Sequence, residues 1–121
     1  MTTSHTVQVG FDAETQALTF LKSKNLSFVE RNFRCKQGEI DLIMQDNDSL
    51  VFVEVRKRSH LEYGSGLDSV TPYKQQRLVR AATVYLLEQN LYEKISCRFD
   101  VVSIDKNNEM TWIKNAIELT Y

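Results

Sequence analysis

The sequence predicts an α/β domain: a mixed β-sheet flanked by helices, in the order α-β-β-β-α-β. Three observations carry this. Two segments repeat apolar residues at helical spacing, Ala13, Ala17, Phe20 and Leu21 in the first and Leu78, Ala81, Ala82, Tyr85 and Leu86 in the second. Between them lie three runs, about 26–34, 38–44 and 50–56, rich in β-branched and aromatic residues and separated by turn formers. A further run, Cys97 to Ile104, follows the second helix; a helical crossover allows it to lie parallel to its neighbour, which makes the sheet mixed.

Residues 1–10 carry no strong period and read as a loose lead-in, with Val7 and Val9 as candidates for a short edge strand. Asp12 suits an N-cap, and a helix is predicted from there to Lys24. Glu14 falls four and seven residues before Leu18 and Leu21, so it projects along one edge of the buried stripe. It either reaches water past that edge or approaches the acids described next. The strand at 26–34 turns Leu26, Phe28 and Phe33 inward and leaves Arg31 and Arg34 near its exit; Gly38 then breaks the chain.

Residues 38–44 and 50–56 form a predicted β-hairpin about Asn47 and Asp48, two residues that tolerate positive φ. With that turn, 43 faces 52, 41 faces 54 and 39 faces 56, and alternation puts Glu39, Asp41 and Ile43 on one side. Asp41 and Glu54 are then cross-strand neighbours with Cβ atoms about 5 Å apart, where like charges destabilise. A hard divalent cation compensates them: magnesium accepts one or two carboxylates and keeps waters and open positions for phosphate oxygens. Arg56 opposite Glu39 adds a fixed positive charge. The plain alternative is a solvated strand face with three acids and a salt bridge.

The segment 57–66 is polar, basic and glycine-containing and reads as a mobile loop beside the acids. Thr71-Pro72 marks a helix start, threonine capping and proline in the first turn, and that helix is predicted to about Gln89. Lys74 lies four residues before Leu78, near the sheet at the positive end of the helix dipole, while Arg77 and Arg80 lie away from the apolar face. Residues 106–109 form a second turn, leading to a short strand around Met110–Ile113.

Gly38-Glu39-Ile40-Asp41-Leu42-Ile43 with Val51-Phe52-Val53-Glu54-Val55, then Lys74 ahead of the Ala81-Ala82 helix and Arg98-Phe99-Asp100-Val101-Val102, resembles the small bacterial YraN-like endonuclease family. An acid followed by a second strand bearing acid-x-base resembles more broadly the PD-(D/E)-x-K superfamily. The resemblance spans about Phe11 to Asn115. It implies a restriction-endonuclease-like core and a magnesium- or manganese-dependent nuclease, with Asp41 and Glu54 as metal ligands, Glu39 or Glu14 assisting, and Arg56 at the catalytic base position. Where the superfamily pattern has lysine, this chain has Arg56; arginine is not deprotonated in a protein and cannot be a general base, although it can hold a phosphate. Lys57 does not replace it, since the next residue on a strand points to the other face.

At 121 residues the chain reads as a single domain, 1–121. Its 42% hydrophobic and 26% charged residues belong to a globular protein, and no apolar run nears 18 residues. The polar start lacks a signal-peptide core, so no membrane and a cytoplasmic address are expected. A net charge of −1 and a pI of about 6.1 exclude a globally basic nucleic-acid binder, so any such contact is local. The candidates for it are Lys57, Arg58, Lys74, Arg77 and Arg80, contacting the backbone of nucleic acid, with DNA expected. Cys35 and Cys97 are too few and too far apart for a zinc site or disulfide framework, and His5 and His60 lack partners at ligand spacing. Two rival readings remain: a DNA- or RNA-binding module of the same fold with impaired turnover, and a structural domain that binds a partner.

Overall fold

The computed structural model describes residues 5–58 and 70–117, of which 5–12 as backbone only. Helix α1 (His5–Ser23) precedes three antiparallel strands, β1 (Ser27–Cys35), β2 (Gly38–Asp46) and β3 (Ser49–Lys57). Helix α2 (Pro72–Glu88) crosses over to β4 (Ser96–Ile104), which lies parallel to β3, and β5 (Met110–Ile113) closes antiparallel on β4. The spatial order β1-β2-β3-β4-β5 makes one mixed sheet. This is the predicted α/β architecture, compatible with a restriction-endonuclease-like core.

Each face of the sheet carries one helix. Leu78, Ala81, Ala82, Tyr85 and Leu86 of α2 pack on Phe33, Ile40, Ile43, Phe52 and Phe99, as the spacing predicted. Ala13, Ala17 and Leu21 of α1 pack on Leu42, Met44, Val51, Val53, Val102 and Ile104. The central strand is covered on both sides, which is why Val51, Phe52 and Val53 run apolar without alternation. The Asn47-Asp48 turn joins the paired residues Asp46 and Ser49, and Asn47 takes φ 55°. Thr71 Oγ1 accepts from the Lys74 N–H at 3.3 Å, and Pro72 opens α2.

Three local expectations give way. The first helix begins at His5, so Asp12 lies within it and Val7 and Val9 are helical. An N-cap preference is worth about 1 kcal/mol, which helix propagation can exceed by adding a hydrogen bond per residue. Phe28 is exposed, because the register shifts between Phe28 and Glu30 on an edge strand. The third concerns alternation in β2. Ile40 and Ile43 both face α2, whereas Leu42 and Met44 face α1, so the pleat reverses at Asp41. Across from it, β1 reverses at Asn32, which takes φ 56°: Arg31 faces α1 and Phe33 faces α2. The pairs Arg31 with Leu42 and Phe33 with Ile40 bracket this interruption. Alternation from Ile43 therefore no longer fixes where the Asp41 side chain points.

Among the described residues no helix is long and apolar enough to cross a membrane. The predicted loop lies outside the described residues from Ser59 to Gly66, and so does His60.

Candidate active site

The reversal at Asp41 coincides with a fork. The β2–β3 ladder runs from Asp46–Ser49 to Leu42–Val53 and stops there, one pair short of Asp41 and Glu54. Beyond it the two strands part, and the Val55 N–H donates to the Asp41 carboxylate at 2.8 Å, not to a backbone carbonyl. Asp41 thus turns toward β3, while Glu54 and Arg56 alternate with Val53 and Val55 and face α2. Asp41 and Glu54 are not a ladder pair but are still neighbours: the protonated Glu54 carboxyl hydrogen-bonds the Asp41 carboxylate. Burial and then the charge of Asp41 push the Glu54 carboxyl up to about 9, against the opposing pull of Arg56 and Lys74.

Over the fork lies a cleft of about 550 Å³ between the sheet and the first turns of α2. Glu54, Arg56 and Glu39 line it from the strands, with Arg34 and Gly38; Tyr73, Lys74 and Arg77 line it from the helix. Gly38 permits this closeness, since a Cβ there would stand 2.7 Å from the Arg77 carbonyl oxygen. Glu39 is not paired across to Arg56. It sits opposite Arg34 on β1, which it meets at 3.3 Å in an exposed ion pair, because the β2–β3 ladder has already ended.

Glu14 lies on the α1 side of the fork. Its carboxyl is raised by burial and then by the charge of Asp41, while Arg31 at 3.3 Å holds it as an ion pair. Asp41 therefore stands in the sheet between Glu14 on one face and Glu54 on the other. Lys57 and Arg80 are exposed and Arg58 donates its N–H to the Ile104 carbonyl; none of the three lines the cleft. Gathered at the cleft are Glu39, Glu54, Arg56, Lys74 and Arg77, with Asp41 at the fork beneath. Tyr73 was not singled out in the sequence; its only signal was an aromatic between the helix-starting proline and Lys74.

Among the described residues no group of three or more histidine, cysteine, aspartate or glutamate side chains is arranged to hold a metal ion. Asp41 and Glu54 remain as two hard oxygen donors in contact, a set that suits magnesium or manganese more than a softer metal. Cys35 and Cys97 are free and half-buried against the α2 core, and burial pushes the Cys97 thiol up.

A second buried polar group lies in the middle of β4, beside Val53 of β3. Asp100 is 1% exposed and accepts from Arg98 Nε at 3.0 Å, Trp112 Nε1 at 2.9 Å and the Asn115 N–H at 2.9 Å. Arg98 also donates to Asp46 at 3.0 Å. This network ties β4 to β2 and to the segment after β5.

Residues 13–104, which contain every cleft residue, match the model of the uncharacterised protein family UPF0102. The chain belongs to that family. It is 51% identical over 118 residues to a UPF0102 protein of Coxiella burnetii, covering 98% of both chains. A UPF0102 protein of Herminiimonas arsenicoxydans is 54% identical over 110 residues, 91% of this chain and 86% of its own. One from Legionella pneumophila is 46% identical over 114 residues, 93% and 97% of the two chains. As a bacterial UPF0102 family member the chain is matched along nearly its full length, so the fork and cleft lie within the shared part.

Proposed function

We propose that this chain is a metal-dependent nuclease of the PD-(D/E)-x-K type, hydrolysing phosphodiester bonds of nucleic acid with Arg56 where lysine is usual. The observation that carries the reading is the contact of the Asp41 and Glu54 carboxylates beneath a cleft rimmed by cations. Two acids held together in a partly buried place keep a proton between them until a cation takes its place. Asp41 and Glu54 would hold magnesium or manganese, which supplies Lewis acidity and lowers the pKa of a bound water.

The chain's own residues do the rest. Arg56 offers a guanidinium that binds a phosphate in a bidentate fashion and stays charged through the reaction. Lys74 adds a point charge at the N-terminal end of α2, where the helix dipole also favours an anion. Glu39 at the rim and Glu14 behind Asp41 are assisting acids. Arg77 binds backbone within the cleft, and Lys57, Arg58 and Arg80 bind it outside, giving affinity without sequence reading. Water adds to phosphorus, one P–O ester bond breaks and the leaving oxygen takes up a proton, yielding a phosphate monoester and a free hydroxyl.

One observation favours a second reading. Arg56 occupies the cleft and cannot accept a proton, which suits a nucleic-acid-binding module with impaired turnover. The deciding experiment measures magnesium-dependent cleavage by the wild type and by Arg56→Lys, with Asp41→Asn as the control that cannot hold metal. Arg56→Lys is expected to raise the rate by about a hundredfold or more, the usual worth of one acid/base group. Equal rates for wild type and Arg56→Lys make Lys74 the candidate for that role. No cleavage by either protein with magnesium or manganese refutes the nuclease reading and leaves the binding module.

A further inference from the structure

Tyr73 is 67% exposed, the most exposed of the large apolar and aromatic side chains among the described residues. It stands at the lip of the cleft that holds Glu54, Arg56 and Lys74. Its position is fixed by its own helix and not by the core: Thr71 caps that turn, Pro72 precedes it, and the Arg77 guanidinium one turn later lies 5.9 Å from the ring centroid. The close seating of α2 over Gly38 holds this first turn against the strand that carries Asp41. An aromatic face is thus presented to water beside the cations and acids of the site.

We infer that Tyr73 is a stacking platform for an unpaired nucleobase, and that the cleft takes single-stranded nucleic acid in preference to continuous duplex. The inference rests on the nuclease reading of the same site. Base faces in a duplex are covered by their neighbours, so a ring at the lip can stack only on a base that is out of the helix. The electrostatics agree. A duplex binder neutralises many phosphates along an extended basic stripe, but here the cations nearest the acids, Arg56, Lys74 and Arg77, gather in one cleft on a chain of net charge −1, with Arg34 beside them paired to Glu39. A cleft of about 550 Å³ falls in the range of small-ligand sites, which suits a short stretch of one strand. Alternation of positive charge with an aromatic face is the pattern of single-strand grooves, and stacking is indifferent to base identity. Single-stranded DNA and RNA offer the same base face, so either can be the source.

The test is fluorescence anisotropy at low salt with a labelled single-stranded DNA, the matching RNA and the matching DNA duplex, each titrated with wild type, Tyr73→Phe and Tyr73→Ala in magnesium. The expected result is tighter binding of one or both single strands than of duplex. Tyr73→Ala should lose about tenfold on the single strand and little on duplex, while Tyr73→Phe keeps the affinity. Because the ring is exposed, an unchanged thermal midpoint in Tyr73→Ala is expected to show that the loss is not one of folding. Binding of single strand and duplex alike, unaffected by Tyr73→Ala, overturns the inference and leaves the nuclease reading standing. Failure to bind any of the three probes overturns both.

Discussion

Glu54 gives the sharpest test of the fork, because its environment sets a sign as well as a size. In the folded protein the Glu54 carboxyl holds its proton up to about 9, whereas the unfolded chain releases it near 4.5. Between those values the folded state binds more protons than the unfolded one, so this group makes stability fall as pH rises, and below 4.5 it contributes nothing. Each pH unit in that window costs about 1.4 kcal/mol, which puts the penalty at pH 7 near 3 kcal/mol, shared with Asp41. Glu54→Gln keeps the shape and removes the charge. In chelator-treated protein it is expected to match wild type near pH 4.5 and to exceed it by up to about 3 kcal/mol at pH 7. Urea unfolding of the two proteins across that range reads this directly, since the titration of distant groups cancels in the difference. Magnesium should reverse the order at pH 7, stabilising wild type by binding the ionised pair and leaving Glu54→Gln behind. A difference between the two proteins that stays flat with pH would refute the raised Glu54 carboxyl, and with it the buried, acid-paired environment of the fork.

Gly38→Ala places a Cβ 2.7 Å from the Arg77 carbonyl oxygen, so α2 must shift; a loss of about 1–3 kcal/mol in denaturant unfolding is expected, with weaker nucleic-acid binding. Asp100→Ala strands the donors of Arg98, Trp112 and Asn115 and should cost about 3–5 kcal/mol by the same assay, with no change in cleft chemistry. Reversing Lys74 and Arg77 to glutamate should abolish retention on a DNA column at low salt, whereas reversing Arg80, which lies outside the cleft, should weaken it only slightly. Equal losses from the two sets would place the binding surface elsewhere.

What the sequence determined by itself is the set of features that depend on near neighbours. The α2 start at Thr71-Pro72 and its five buried residues follow from one cap and a 3.6-residue period, and the hairpin about Asn47-Asp48 from a turn that tolerates positive φ. The same local rules placed Glu54 and Arg56 on one face, opposite Lys57, because β3 stays paired to β4 without interruption through Lys57. Parity failed where pairing is interrupted. Asp41 lies opposite Asn32 at φ 56°, and that paired reversal, together with the end of the β2–β3 ladder, decides that Asp41 turns into the fork and meets Glu54 and the Val55 N–H. Glu39 takes Arg34 as partner for the same reason, since its neighbour is set by which strand remains paired beside it. The tertiary structure alone brought Tyr73 and Arg77 to the cleft, because the approach of α2 to β2 depends on the missing Cβ of Gly38, 35 residues before Tyr73. A period within a helix says which side is buried; what that side meets is fixed by the packing of elements distant in sequence.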